Sequence, residues 1–125
     1  MHLHILKSKI HRARVTDAHF DYEGSLGIDR ALMDKVGLLP YEKILVANIT
    51  RGTRFETYAI PLPKQSAAVV LNGAAAHLGA VGDAIVLMAF ASISPKELPA
   101  WQPKTVVLDA RNQIVKENLN VPIQK

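Results

Sequence analysis

Apolar and polar residues alternate through much of this chain, and the alternation predicts strands. "LHILKSKIHRARVT" (3–16) reads as one or two strands. "KILVANIT" and "TRFETYAIPL" read as two more, joined by a hairpin across Arg51-Gly52. "AAVVL" (67–71) is a short buried strand that runs into an Asn72-Gly73 turn, and Ala74–Leu78 follow as one helical turn. "VGD" (81–83) turns the chain into "AIVLMAFASI", a long apolar strand, and "KTVVLDA" pairs with "IVKENL" around Arg111-Asn112. One segment breaks the pattern. "GIDRALMDKVGLL" (27–39) carries a helical period, with Asp29 as its cap, Leu32 and Val36 on one face, and Gly37 as its end. Pro95, Pro99 and Pro103 mark a loop that carries Trp101, and the tail after Asn118 is expected to be loose. Many short strands with a few short helices predict a mainly β fold, a compact barrel.

The length of 125 residues fits one domain, 1–125, with no repeat or linker. The chain has no cysteine, which removes disulfides, thiolate zinc sites and cysteine nucleophiles and favours a reducing cytoplasm. The opening Met-His-Leu-His-Ile-Leu lacks the order of a secretory signal. Apolar segment 67–93 is broken by Asn72, His77, Asp83 and glycines, so no membrane span is expected. The net charge is +4, and Lys7, Lys9, His11, Arg12 and Arg14 cluster near the start. A nucleic-acid surface and a solvated strand face both fit that cluster. His2, His4, His11, His19 and His77 have no partners at ligand spacing, so no metal site is expected.

Three short stretches can carry chemistry. In "YEGSLGID" (22–29), the Ser25 hydroxyl stands beside the Gly24 carbonyl. Attack there turns the peptide into an ester, elimination leaves dehydroalanine, and water yields a pyruvoyl group. Glycine at 24 has no side chain to clash in an unusual backbone geometry. A plain turn explains the same dipeptide. In "RFETY", Arg54, Glu56 and Tyr58 share a strand face, with Thr57 on the other. Arg54 offers a fork for a carboxylate and Tyr58 a proton, although an exposed ion pair beside a packed tyrosine also fits. In "LNGAAAH", the small residues after Asn72 let a ligand approach the backbone or merely pack a turn.

"KSKIHRARVT", "YEGSLGID", "GTRFETYAI", "LNGAAAHL" and "VGDAIVLMAF" occur together and in this order. The sequence thereby resembles the pyruvoyl-dependent aspartate 1-decarboxylases, which make β-alanine for pantothenate synthesis. The match is looser beyond Trp101. The resemblance implies a double-psi β-barrel, a homotetramer with sites between subunits, and self-cleavage of Gly24-Ser25 into chains 1–24 and 25–125. It implies a covalent pyruvoyl cofactor from Ser25, with no metal and no pyridoxal phosphate. L-aspartate would be the substrate, decarboxylated to β-alanine and CO2. Lys9 and Arg54 would bind substrate carboxylate, and Tyr58 would donate the proton. Thr57 would assist processing and touch substrate, and Asn72, Gly73, Ala74 and Ala75 would line the pocket. His11 and Tyr22 are further pocket candidates, and Ala47 stands where some members carry a large aromatic. In some relatives a maturation factor drives cleavage. No nucleic-acid or membrane partner is expected. The other readings open to the sequence are a non-catalytic barrel that binds a partner and an unprocessed, inactive homologue.

Overall fold

The structure, a computed structural model, describes residues 1–118. Its strands are β1 (Leu3–Arg14), β2 (Asp17–His19), β3 (Ser25–Asp29), β4 (Lys43–Asn48), β5 (Arg54–Leu62), β6 (Val69–Asn72), β7 (Ala84–Ile93), β8 (Lys104–Leu108) and β9 (Ile114–Glu117). A single α-helix, α1 (Arg30–Val36), follows β3, and short 3₁₀ turns lie at Gly73–His77 and Leu98–Ala100. The strand order is β2-β6-β3-β5-β4-β7-β1-β8-β9.

The order hides a closure, because β1 and β2 are one run of chain interrupted only by Val15 and Thr16. Val15 still bonds to the β7 side, its amide donating to Asp83 O at 2.9 Å. One residue later, Thr16 donates its amide to Val69 O at 2.8 Å, and its hydroxyl accepts from the Val69 amide at 2.9 Å. The chain thus leaves β7 and joins β6 within two residues, and the sheet closes as a barrel with β8 and β9 appended to β1. Parallel pairs β2·β6 and β3·β5 sit among antiparallel ones, so connections must cross the barrel. The mainly β barrel with few short helices is the expected fold class.

The interior is filled by the alternate residues that strand pleating turns inward, among them Ile10, Leu26, Val46, Leu71 and Leu87, all buried. Buried polar groups are tied down. Asn112, buried and left-handed at φ 60°, accepts from the Arg14 amide at 2.7 Å and donates to Arg14 O and Ala67 O, both at 2.9 Å. It replaces ladder bonds where the β8–β9 turn meets the barrel.

Several boundaries differ from the sequence pattern. The helix begins at Arg30, directly after the expected cap, and Gly27 and Ile28 ahead of it are paired with β5 and β6. Asp29 does cap it, accepting from the Ala31 amide at 2.8 Å, and Gly37 ends it at φ 70°. The same Asp29 carboxylate accepts from the Gln65 and Ala67 amides, each at 2.9 Å. Those bonds hold residues 65–67 as a loop, so the expected strand 67–71 starts at Val69 instead. Its end also moves, since Asn72 is extended and paired within β6. Ser25, expected in a turn, opens β3. The expected loose tail lies outside the described residues.

Candidate active site

Residue 25 sits where three strands converge. Ser25 pairs with Asn72 across the antiparallel β3–β6 ladder. Opposed residues project to the same side, and the Asn72 amide Nδ2 donates to Ser25 Oγ at 3.1 Å. On the other flank, β3 runs parallel to β5 with Leu26 opposite Ala59. The ladder begins there, and Ser25 and Tyr58 are the residues that immediately precede it on the two strands. Leu26 and Leu71 on the alternate positions point into the core. Pleating therefore puts Ser25, Asn72 and Tyr58 together on the outward side of the barrel wall.

Ser25 is buried, and its hydroxyl lies 3.4 Å from Glu23 O, a long hydrogen bond. An amide NH2 is no base, so Asn72 orients the Ser25 oxygen rather than deprotonating it. Asn72 Oδ1 is itself buried without a partner, an orphan beside Ser25. Gly73 follows at φ +64° and opens the 3₁₀ turn that holds Ala74 exposed and Ala75 buried. Tyr22 is exposed on the approach to Ser25, its ring 5.0 Å from that of His19.

β5 bears out the face assignment made from its period. Its register with β4 carries no bulge, so Arg54, Glu56 and Tyr58 share one side and Thr57, opposite Ile44, takes the other. Glu56 pairs with Lys43 at 2.9 Å. Arg54 is exposed and forms no ion pair among the described residues, which leaves its guanidinium free for an anion.

Lys9 and His11 lie elsewhere. Ladders place Arg54, Ala47, Val86 and His11 in one row across β5-β4-β7-β1, and Glu56, Leu45, Met88 and Lys9 in the next. With strands about 4.8 Å apart, His11 stands roughly 14 Å from the β5 end of its row. Lys9 and His11 are half-buried, and burial pulls the His11 imidazole below its usual pKa, helped by the Lys9 and Arg12 charges. His11 Nδ1 is buried and unpartnered. A single chain thus gathers Ser25, Asn72 and Tyr58 at one place and spreads Lys9, His11 and Arg54 along another part of the wall.

Part of the basic cluster near the start is used within the chain. Lys7 pairs with Glu42 at 2.7 Å, and Arg14 donates to Gly82 O at 2.9 Å. No three potential metal ligands cluster among the described residues. No helix there is long and apolar enough to cross a membrane.

The sequence model of the aspartate decarboxylase family matches residues 1–115. This chain belongs to that family. The match runs past Trp101, further than the motifs alone indicated. A protein named aspartate 1-decarboxylase from Carboxydothermus hydrogenoformans is 50% identical over 116 residues, covering 93% of this chain and 91% of the relative. One of the same name from Coprothermobacter proteolyticus is 52% identical over 110 residues, 88% of this chain and 90% of its own length. A third, from Acaryochloris marina, is 42% identical over 117 residues, 94% of this chain and 89% of its own.

Sequence reasoning passed over the residues that fix the family's motifs in space. Asp29 appeared as a helix cap only, although it also clamps the 65–67 loop that feeds β6 and Asn72. Asn48 and buried Asp83 were not singled out. Asp83 accepts from Asn48 Nδ2 at 2.9 Å, Arg51 Nε at 2.6 Å and the Ala80 amide at 2.9 Å. Burial raises its pKa, but these donors prevail and hold it below the usual value. The cluster anchors the hairpin that precedes Arg54. A polar residue inside an apolar strand, as at Asn48, was the signal available.

Proposed function

We propose that this chain decarboxylates L-aspartate to β-alanine and CO2, a step that feeds pantothenate synthesis, after cutting itself between Gly24 and Ser25. Family membership supports the reaction, and the observation that carries the site is Ser25 Oγ held by Asn72 at 3.1 Å on the outward barrel face. In maturation, Ser25 Oγ attacks the Gly24 carbonyl carbon, the C–N bond breaks, and the Ser25 nitrogen becomes an amine. Loss of the α proton with cleavage of the Cβ–O bond releases chain 1–24 as a carboxylate. Water then replaces the nitrogen, which leaves as ammonia, and chain 25–125 begins with a ketone. No oxidant is required.

The residues fit a pyruvoyl group at this place. Ser25 supplies its three carbons, and Asn72 keeps a buried, unpartnered Oδ1 beside it. The group's carbonyl supplies the sink for the electron pair left by departing CO2. The chain's side chains do the rest. Arg54 holds the carboxylate that is retained, since a strong pair on the departing one would oppose its loss. Lys9 orients the dicarboxylate, with His11 and Tyr22 at the margin of the pocket. Tyr58 gives its phenolic proton to the carbon that has lost CO2. Thr57 assists processing from the opposite side of β5, and Gly73, Ala74 and Ala75 let substrate approach the backbone.

Spacing supports the quaternary reading. Lys9 is separated from the β3–β5–β6 cluster by several strands, too far for one small dicarboxylate to span. A homotetramer in which one subunit's Lys9 face meets another's Ser25 cluster brings them together. The protein works in the cytoplasm, where a cysteine-free chain suits the reducing medium.

Denaturing mass spectrometry tests the reading. The purified protein should resolve into chains 1–24 and 25–125, the second with a blocked start, and Ser25→Ala should stay whole. A wild type that remains uncut in isolation and cuts when cell extract is added would reveal a maturation factor. One that stays uncut in both is an inactive homologue. Cleavage of Ser25→Ala at the same bond would assign the cut to a protease.

A further inference from the structure

Glycine before the scissile bond was expected to relieve crowding, but the crowding is elsewhere. A Cβ added at Gly24 would meet nothing within 4 Å, and Gly24 is not left-handed. At Gly73 the opposite holds. A Cβ there would lie 2.6 Å from Tyr22 O, 2.7 Å from Gly24 N and 2.8 Å from Gly24 Cα. All three are backbone atoms, which cannot swing aside as a side-chain tip can. Gly73 also sits at φ +64°, where a side chain is strained in any case.

Asn72 and Gly73 therefore grip the scissile segment from one side with two different tools. The Asn72 amide fixes Ser25 Oγ at 3.1 Å, the attacking atom. The bare Cα of Gly73 forms the floor under residues 22–24, which carry the attacked carbonyl. Oxygen and carbonyl carbon belong to adjacent residues, and their mutual geometry depends on where each flank is held.

We infer that Gly73 is a positioning residue of maturation: its missing side chain lets the Tyr22–Gly24 backbone settle where Ser25 Oγ can reach the Gly24 carbonyl. This rests on the self-cleavage reading and goes beyond a pocket-lining role for Gly73. The affected step is the first one, formation of the Oγ–C bond as the C–N bond breaks. A displacement of about 1 Å in such a geometry costs on the order of a hundredfold in rate.

The experiment follows cleavage of the full-length chain by intact mass, scored only on protein that keeps the wild-type circular dichroism and elution volume. Gly73→Ala should cut roughly tenfold to a hundredfold more slowly than wild type. Gly73→Asn separates contact from strain, because asparagine tolerates a left-handed φ yet still carries a Cβ. It should cut as slowly as the alanine variant. Gly52→Ala supplies the reverse control. Gly52 has φ +79° and nothing within 4 Å of an added Cβ, so it carries the strain without the contact. It should lose some thermal stability and cut at the wild-type rate. Neutral hydroxylamine, which captures an ester, should hasten wild-type cleavage and leave Gly73→Ala slow, since the ester is what fails to form.

Wild-type cutting by both folded Gly73 variants would overturn the inference while leaving self-cleavage intact. Recovery in Gly73→Asn alone would replace the contact with backbone strain and overturn it too. If neither variant folds, the contact serves the fold rather than maturation, and the inference fails. An uncut wild type would instead remove the self-cleavage reading beneath it.

Discussion

Two parts of the same barrel wall carry the candidate chemistry, and they are built differently. Around Ser25 the groups are neutral, with Ser25 and Gly73 buried and Asn72 and Tyr58 half-buried, positioned by β3, β5 and β6 and by backbone packing against Gly73. Along β1, β4, β7 and the start of β5, Lys9 and Arg54 are charged and His11 is ionisable, all of them partly or fully exposed and spread over several strands. The first part lies within one chain and suits a reaction of the chain with itself. The second has no anionic partner among the described residues and suits a ligand that arrives later. The contrast implies that mutation of the charged groups impairs turnover and spares maturation, whereas turnover also depends on the groups around Ser25.

Tyr58 stands on the border, just ahead of the β3–β5 ladder like Ser25 but on the face that carries Arg54, and it gives the largest separation. Tyr58→Phe keeps the ring against Tyr41, whose centroid is 6.4 Å away. Cleavage should proceed, and turnover of L-aspartate should fall about 10²–10⁴-fold, the range for a positioned general acid. Single-turnover assays should place the defect after CO2 release. Loss of cleavage in this variant would move Tyr58 into maturation and blur the division.

Arg54→Ala tests the charged part alone. Arg54 is exposed in the single chain, and once substrate and a neighbouring subunit cover it, removing one partner of the desolvated pair costs about 2–5 kcal/mol, so kcat/KM for L-aspartate should fall steeply while intact mass shows normal cutting. An unchanged kcat/KM would take Arg54 out of the site.

A mixing experiment sharpens the claim that the two parts meet only between subunits. Lys9→Ala and Tyr58→Phe chains should each be impaired alone. Co-expressed, they should regain roughly a quarter of wild-type activity, because random assembly restores that share of sites if each draws Lys9 and Tyr58 from different chains. If both come from one chain, no recovery occurs.

The same division decides what was legible in the sequence. Strand alternation was legible in stretches such as "LHILKSKIHRARVT" and "KILVANIT", and Asp29 with Gly37 marked the helix ends, because these signals are local. What no local pattern reveals is that Gly27 and Ile28, just ahead of the cap, are claimed by pairing with β5 and β6. Ser25, Arg54 and Tyr58 were visible through motif and period. Asn72 and Gly73 looked like a turn, and their hold on residues 22–25 depends on the β3–β6 ladder, a contact between residues nearly fifty positions apart. The row linking Arg54 to His11 likewise exists only once four strands are in register.

The smallest effect expected concerns His11, and its sign follows from its surroundings. Burial first, then the Lys9 and Arg12 charges, lower its pKa from the ordinary 6.5. Between the lowered value and 6.5, the unfolded chain binds more proton than the folded one. Stability therefore rises with pH through that window, and acidification down through the window removes it; below the lowered value this group adds no further loss. Urea midpoints at pH 5 and pH 7.5 should differ more in wild type than in His11→Gln, the variant cancelling the contributions of the other histidines. An anion seated on this face would offset the Lys9 and Arg12 charges and let His11 keep its proton. Succinate, a dicarboxylate without the reactive amine, should then lift the acidic midpoint of wild type more than that of His11→Gln. An equal lift in both would show that the dicarboxylate does not sit near His11, and would confine the charged part of the site to Arg54 and Lys9.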